Sequence, residues 1–409
     1  MSRSRRILVP FGTRPEVIKL APVVQALRAA GHTVTAVDTG QHSDPAMGAD
    51  LHRSLGLEPD VRLRPAAGAG RPGALLSGAA EVLHRHPVDL VLALGDTHTV
   101  PAYALAARGT AVPFAHLEAG LRSFNLRSME EVNRRVAAAT AQLHFAPTAR
   151  AAGFLLAEGV SARRIFVVGN PVVDALRYNG VAAVPPDDRF GVLVTAHRAS
   201  NVDDPVRLAR LVDVVARLAA IGPVRFPVHP RTKARLHEHG LAERLASLPG
   251  VAWEEPLAYD ALLGALAHAR VVVTDSGGLQ EEAAYLGVPV VVLRRSTPRW
   301  EGVEAGAAVL TGITTDEEAA RAVAAAHRLT EPAALRRIAA LPCPYGDGTT
   351  GRQVAAVLAD PATDALLALD EPDCTDGFRP WTVERTFARL PGHRRLATTT
   401  SATRPCPRP

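Results

Sequence analysis

Four acidic side chains stand where short apolar runs end or helices begin: Asp96 in GDTHT (95–99), Glu118 in HLEAGLRS (116–123), and Glu130 and Glu131 in SMEEVNRR (128–135). Carboxylates in such places can move protons or hold developing positive charge. Further along, comparable positions carry cations. VTAHRASN (194–201) supplies His197 and Arg198, PVHPRT (227–232) supplies His229 and Arg231, and STPRWEGVEAG (296–306) supplies Arg299 beside Glu301. Between the last two lies DSGG (275–278), where Ser276, Gly277 and Gly278 separate a strand from a helix. Successive backbone N–H groups there can form an anion-binding nest. Near the start, GTRPEVIK (12–19) puts Arg14 and Lys19 at the opening of a helix, a pattern suited to clamping a diphosphate. TGQH (39–42) adds Gln41 and His42 in the same layer.

Plainer alternatives exist for most of these. Asp96 could cap a helix, Glu130 and Glu131 would favour a helix dipole whatever else they do, and the cations could be caps or solvated surface. Glu118 is harder to explain away, because a carboxylate ending an apolar strand is costly unless paired or functional. It shares a strand face with His116. The distribution is informative: acids line the first half, while basic groups and a nest line the second. That division suits a nucleotide-sugar, with the nucleotide held by the second half and sugar chemistry performed by acids of the first. Glu281 and Glu282, in the helix after DSGG, project about 100° apart and need not share a task; Glu281 reads as a structural or solvated acid.

These residues must be positioned by the runs that precede them: RILVPF (6–11), TVTAVDT (33–39), DLVLALG (89–95), VPFAHLEAG (112–120), IFVVG (165–169), FGVLVTA (190–196), VRFPVH (224–229), VVVTD (271–275) and VPVVVLR (288–294). Continuous apolar strands alternating with helices indicate parallel sheets covered on both faces. Ligands of such sheets bind at the carboxyl ends of the strands. A chain of 409 residues exceeds one ordinary core, so the expected organisation is two Rossmann-like, doubly wound α/β domains around a cleft. The boundaries are 1–172 and 173–360, with a C-terminal extension, 361–409, rich in Pro, Thr and Arg and expected to be partly disordered.

The net charge of +5 is no sign of a nucleic-acid partner, since residues 375–409 carry seven arginines against Asp376 and Glu384 and account for it. Of 46 basic residues, only Lys19 and Lys233 are lysine, a bias that reads as genomic. Cys343, Cys374 and Cys406 are too scattered for a disulfide framework or a metal site. No run reaches the roughly 18 apolar residues of a membrane span, and the short apolar start reads as a buried strand of a cytoplasmic protein. Without a Walker loop or a GxGxxG after the first strand, neither a P-loop nucleotide nor NAD is expected. No metal or redox cofactor is expected either.

GTRPEVIKLAPV, TGQH, GDTHT, HLEAGLRS, EEVNRR, HFAPT, GNPVVDAL, TAHR, DSGGLQEEAAYLGVPVVVLR and TPRWE occur in an order that resembles the non-hydrolysing UDP-N-acetylglucosamine 2-epimerases, over residues 7 to about 360. The resemblance implies a GT-B-like fold, interconversion of UDP-GlcNAc and UDP-ManNAc, and a homodimer. By motif it places Asp96, Glu118 and Glu130 as catalytic carboxylates and His197 against the leaving phosphate. It puts Arg14 and Lys19 near the nucleotide, Ser276, Gly277 and Gly278 at the diphosphate, Glu282 on the ribose hydroxyls, and Arg299 with Glu301 in the family's TERPE motif. The chain departs from the pattern in four places. HRASN replaces HRREN, Ala138 replaces an aspartate, SDPAMGAD lacks a glutamine associated with allosteric UDP-GlcNAc, and Trp300 stands where Pro is usual. The rival readings are a GT-B glycosyltransferase, a hydrolysing epimerase acting on a UDP-aminosugar, and a non-catalytic nucleotide-sugar sensor.

Overall fold

A computed structural model describes residues 3–41, 52–65, 68 and 70–369. Strands β1 (Arg6–Phe11), β2 (Thr33–Asp38), β3 (Val61–Arg62), β4 (Leu90–Leu94), β5 (Phe114–Leu117), β6 (Leu143–Ala146) and β7 (Ile165–Val167) form a seven-stranded sheet in the order 3-2-1-4-5-6-7. Strands β8 (Val192–Thr195), β9 (Val224–Pro227), β10 (Val251–Glu254), β11 (Val271–Thr274), β12 (Val290–Val292) and β13 (Ala308–Leu310) form a six-stranded sheet in the order 10-9-8-11-12-13. Every pairing is parallel. The expected pair of doubly wound α/β sheets is what the chain forms.

Alternation along each strand feeds two apolar layers. Ile7, Val9 and Phe11 of β1 join one core and Leu8 joins the other. In the second sheet Val271 and Val273 face one side and Val272 the other. Each such side chain contributes about 1.5–3 kcal/mol relative to exposure. Continuous burial explains why these strands were legible as apolar runs. Four strands were not: β3 and β13 are very short, β10 is a partly exposed edge, and β6 carries His144.

The strand order reverses between β1 and β4 in the first sheet and between β8 and β11 in the second. Those are the switch points where open α/β sheets bind ligands. GTRPE follows β1, GDTHT follows β4, HRASN follows β8 and DSGG follows β11, so four of the motifs stand at the two switch points. Gly12 has a local reason: a Cβ there would lie 2.2 Å from Thr39 Oγ1 and 2.7 Å from Gln41 Cβ, so only glycine lets the loops after β1 and β2 touch.

The expected boundary at 172/173 falls inside helix Pro171–Tyr178, whose Asn170 cap accepts from the Val172 N–H at 3.0 Å. Asp174 of this helix accepts from the Thr350 and Gly351 N–H groups at 3.2 and 2.9 Å. Helix Thr350–Ala359 thereby returns to the first sheet, where Gly351 lies close against Pro22 and Val23 of helix Arg14–Ala29. His42, the SDPAMGAD segment and residues 370–409 of the expected C-terminal extension lie outside the described residues. Among the described residues no helix is long and apolar enough to cross a membrane.

Candidate active site

The register Leu94↔Leu117 puts the turns after β4 and β5 side by side. Glu118 occupies the left-handed region there, with φ of 64°. That conformation costs a non-glycine residue roughly 1–2 kcal/mol and tends to persist at functional sites. Its Oε1 accepts from Lys19 Nζ at 2.5 Å, and Lys19 Nζ also donates to Glu281 Oε2 at 2.9 Å. Burial pushes the Glu118 carboxyl up, Lys19 opposes this, and Glu281 adds to it.

Asp96 accepts from Arg134 Nη1, and its backbone carbonyl accepts from Asn133 Nδ2 at 2.9 Å. It caps no helix: helix Thr99–Gly109 begins after His98. The adjacent acids on helix Met129–Thr140 separate cleanly. Glu131 is fully buried and accepts from the Ser123 N–H at 2.8 Å and from Arg134 Nη2 at 2.8 Å, so it holds the arginine that touches Asp96. Glu130 turns toward the second sheet and accepts from Arg198 Nη1 at 2.6 Å. Burial works against its charge, but Arg198 and the Ser128 hydroxyl outweigh it and hold the carboxyl down at about 2.

On the facing wall, Asp275 is completely buried and accepts from the backbone N–H groups of His197 and Arg198 at 3.1 and 2.9 Å and from Asn201 Nδ2 at 3.1 Å. Its Oδ1 also lies 3.1 Å from His197 Nδ1. Asp275 thus builds the HRASN turn and orients the imidazole. The His229 ring centroid lies 5.3 Å from that of His197, and His229 caps helix Pro230–Glu238 by accepting from the Arg231 N–H at 3.2 Å. Arg231 pairs with Asp203.

Helix Gly278–Leu286 opens directly behind Ser276 and Gly277. A Cβ on Gly277 would lie 2.9 Å from Arg299 Nη1, so glycine lets that guanidinium rest against the DSGG turn. Arg299 Nε donates to Glu281 Oε1 at 2.9 Å. Glu282 accepts from the Tyr259 hydroxyl at 2.9 Å, and burial pushes it up to about 7.

Gln41 Oε1 accepts from the Thr99 hydroxyl at 3.3 Å, and half-buried Arg14 opens the first helix. Glu301 accepts from the Thr148 hydroxyl, and Trp300 Nε1 donates to the Arg122 carbonyl at 2.8 Å, so both residues of TPRWE cross between the sheets.

One reading changes and another narrows. Lys19 is no free phosphate clamp in this arrangement: it is only 7% exposed, with its ammonium held by two carboxylates. Glu281 has no solvent exposure and is structural rather than solvated. Sequence reasoning also passed over Arg134, Asn201 and Glu16. Glu16 is buried, bonds the Gly12 and Thr13 N–H groups and the Thr97 hydroxyl, and is pushed up to about 7 by burial. Its position at the fourth residue of a Thr-x-x-Glu capping box was the available signal. Among the described residues no cluster of His, Cys, Asp and Glu is placed to hold a metal ion.

Fold and site together define a GT-B-like protein in which each wall of the cleft carries acids paired with cations: Lys19 and Arg134 on Glu118 and Asp96 in the first half, and Arg299 and His197 on Glu281 and Asp275 in the second. Residues 25–359 match the family model described as UDP-N-acetylglucosamine 2-epimerase. The UDP-N-acetylglucosamine 2-epimerase of Methanocaldococcus jannaschii is 36% identical over 372 residues, covering 86% of this chain and 98% of the relative. A UDP-2,3-diacetamido-2,3-dideoxy-D-glucuronate 2-epimerase of Pseudomonas aeruginosa is also 36% identical, over 76% of this chain and 89% of the relative. The M. jannaschii enzyme solved with UDP-GlcNAc and UDP superposes with a TM-score of 0.78 at 34% identity, covering 86% of this chain and 99% of that one. The chain belongs to the UDP-N-acetylglucosamine 2-epimerase family.

Proposed function

We propose that the protein interconverts UDP-GlcNAc and UDP-ManNAc by inverting C2 without hydrolysis. What supports this is that Asp96 and Glu118 follow the paired strands β4 and β5, while Glu130, on helix Met129–Thr140, reaches Arg198 in the turn that also carries His197. A C2 proton of GlcNAc is not next to a carbonyl and is poorly acidic. Breaking the C1–O bond, with its electron pair leaving on the β-phosphate, builds positive charge at C1 and makes that proton removable. A carboxylate takes it, C1 and C2 become doubly bonded, and the product is a glycal with UDP still bound. UDP oxygen then returns to C1 while a proton is delivered to the other face of C2. The sequence is redox-neutral.

The site divides this labour physically. Glu118, pushed up by burial, has the basicity to accept and return a proton, and Asp96 serves the other face. Glu130, held at about 2 beside Arg198, stays ionised and opposes the charge developing on the ring. His197, Arg198, Arg299 and the nest hold the departing diphosphate, and Glu282 accepts from the ribose hydroxyls. Arg14, Gln41, His42, His229 and Glu301 complete the substrate contacts in this reading. Leu76 and Leu105, on the adjacent helices Arg71–Arg85 and Thr99–Gly109, leave apolar surface that a second copy would cover, in keeping with a homodimer. A cytoplasmic location belongs to the same proposal.

Incubation with UDP-GlcNAc in deuterated water, followed by NMR, tests the reading. Both C2 epimers should appear with deuterium at C2 and without accumulating free UDP. No epimer and no deuterium would reject it, and steady release of free UDP would identify the hydrolysing alternative. UDP-2,3-diacetamido-2,3-dideoxy-D-glucuronate belongs in the same assay, since a relative of equal identity is named for it.

A further inference from the structure

Glu281 touches three separate parts of the chain. Its Oε2 accepts from Lys19 Nζ at 2.9 Å, and its Oε1 accepts from Asn170 Nδ2 at 3.1 Å and Arg299 Nε at 2.9 Å. Lys19 belongs to helix Arg14–Ala29 after β1, Asn170 caps helix Pro171–Tyr178, and Arg299 follows β12 of the second sheet. The other bond of the Lys19 ammonium goes to Glu118. Two cations and two carboxylates therefore form a buried quartet without net charge. Glu282, Tyr259, Cys343 and Tyr345 all feel the Glu281 charge, and Asp96 acts on Arg299. Uncompensated burial would neutralise any of these four groups. Arg299 and Lys19 hold Glu281 below the usual carboxylate range against burial, the two carboxylates hold Lys19 and Arg299 above their usual values, and Glu118 alone is pushed up by burial.

We propose that Glu281 is a positioning residue for the reaction: from the second sheet it fixes the Lys19 ammonium, and through it seats the Glu118 carboxylate, so the proton-transfer group is complete only when the two halves are docked. This rests on the reading of Glu118 as a proton acceptor. Without the Glu281 charge, Glu118 would face Lys19 and Arg299 alone and become a weaker base.

Glu281→Gln tests this, keeping the volume and removing the charge. The expected result is a fall in kcat on the order of 10²-fold, a smaller change in KM, and an acid limb of the pH–rate profile displaced to lower pH. Glu281→Asp keeps the charge, so the limb should return to its original pH while kcat stays reduced. Wild-type kcat in Glu281→Gln overturns the proposal. So does a reduced kcat with an unmoved limb, which a merely structural role would give. Should Glu281→Gln not fold, the pair Lys19→Met/Glu281→Gln removes one charge of each sign. Small-angle scattering should then show that UDP compacts the wild type but not the pair; equal compaction overturns the proposal. If the wild type leaves C2 untouched, the catalytic reading fails while the scattering comparison still decides whether Glu281 ties the halves together.

Discussion

Arg198 Nη1 lies 2.6 Å from Glu130 Oε1, joining the turn after β8 of the second sheet to the helix behind β5 of the first. The pair sets Glu130 apart from its neighbours, because a carboxylate held at about 2 stays charged at every working pH. A depressed folded-state value contributes stability that is present above the ordinary carboxylate range and lost as pH falls toward about 2. Arg198→Met should therefore lower Tm at pH 6, and the gap from wild type should narrow as pH is taken from 4.5 toward 2. Thermal melts across that range measure it; a constant gap would contradict the pairing.

Glu118→Gln should lower kcat by about 10²–10⁴-fold while leaving UDP affinity nearly unchanged. Because burial and Glu281 push the Glu118 carboxyl up, wild-type activity should fall with decreasing pH already above the ordinary carboxylate range. A pH–rate profile together with UDP calorimetry separates the two effects. Retained deuterium exchange at C2 in both reaction directions would remove Glu118 from its assigned role.

Asp275→Asn keeps the shape of a buried acceptor but leaves His197 and three further donors without their anion. Loss of charge-assisted bonds of this kind costs about 1.5–3 kcal/mol. The expected outcome is a lower Tm together with a reduced kcat. Full activity in a destabilised variant would show that the orientation of His197 does not matter to the reaction.

Glu282 is pushed up to about 7 chiefly by burial, against the Tyr259 hydrogen bond. It is ionised, and the better acceptor for ribose hydroxyls, above that value. UDP affinity should then rise between pH 6 and pH 8. In Glu282→Gln it should be about tenfold weaker at pH 8, on the order of 1.4 kcal/mol, and nearly independent of pH. Isothermal titration at the two pH values checks this, and equal slopes in both proteins would assign the ribose to another residue.

Trp300→Phe keeps the ring and removes the donor to the Arg122 carbonyl, a 2.8 Å bond between the sheets. The loss should be about 1 kcal/mol, read as a lower Tm in the presence of UDP and a higher KM with little change in kcat. An unchanged KM would mean that the tie has no part in holding the closed cleft.

Much of this molecule could be read directly from local pattern. Runs such as LVLAL and VVVT are buried on both faces, so parallel sheets followed from apolar continuity, and residues just after each run had to reach the ligand edge. The four strands that escaped notice are short, carry a histidine, or lie at an exposed edge where continuity fails. The DSGG turn was legible in the same way, and Glu130 and Glu131 were legible as acids in the first turn of a helix.

The sequence by itself determined the architecture and the strand ends at which the charged motifs follow, but not the expected separation of acids from cations, since Lys19 and Arg134 stand in the first half and Asp275, Glu281 and Glu282 in the second. Architecture and strand ends follow from the spacing of nearby residues. Only the tertiary structure decided which charges cancel. Lys19 meets Glu118 across 99 residues and Glu281 across 262, and Glu130 meets Arg198 across 68. Glu281 and Glu282 are neighbours in sequence yet differ in fate, one ionised within a buried quartet and the other pushed up beside a tyrosine hydroxyl. Electrostatic character depends on partners and burial brought by distant segments, and no local period encodes them.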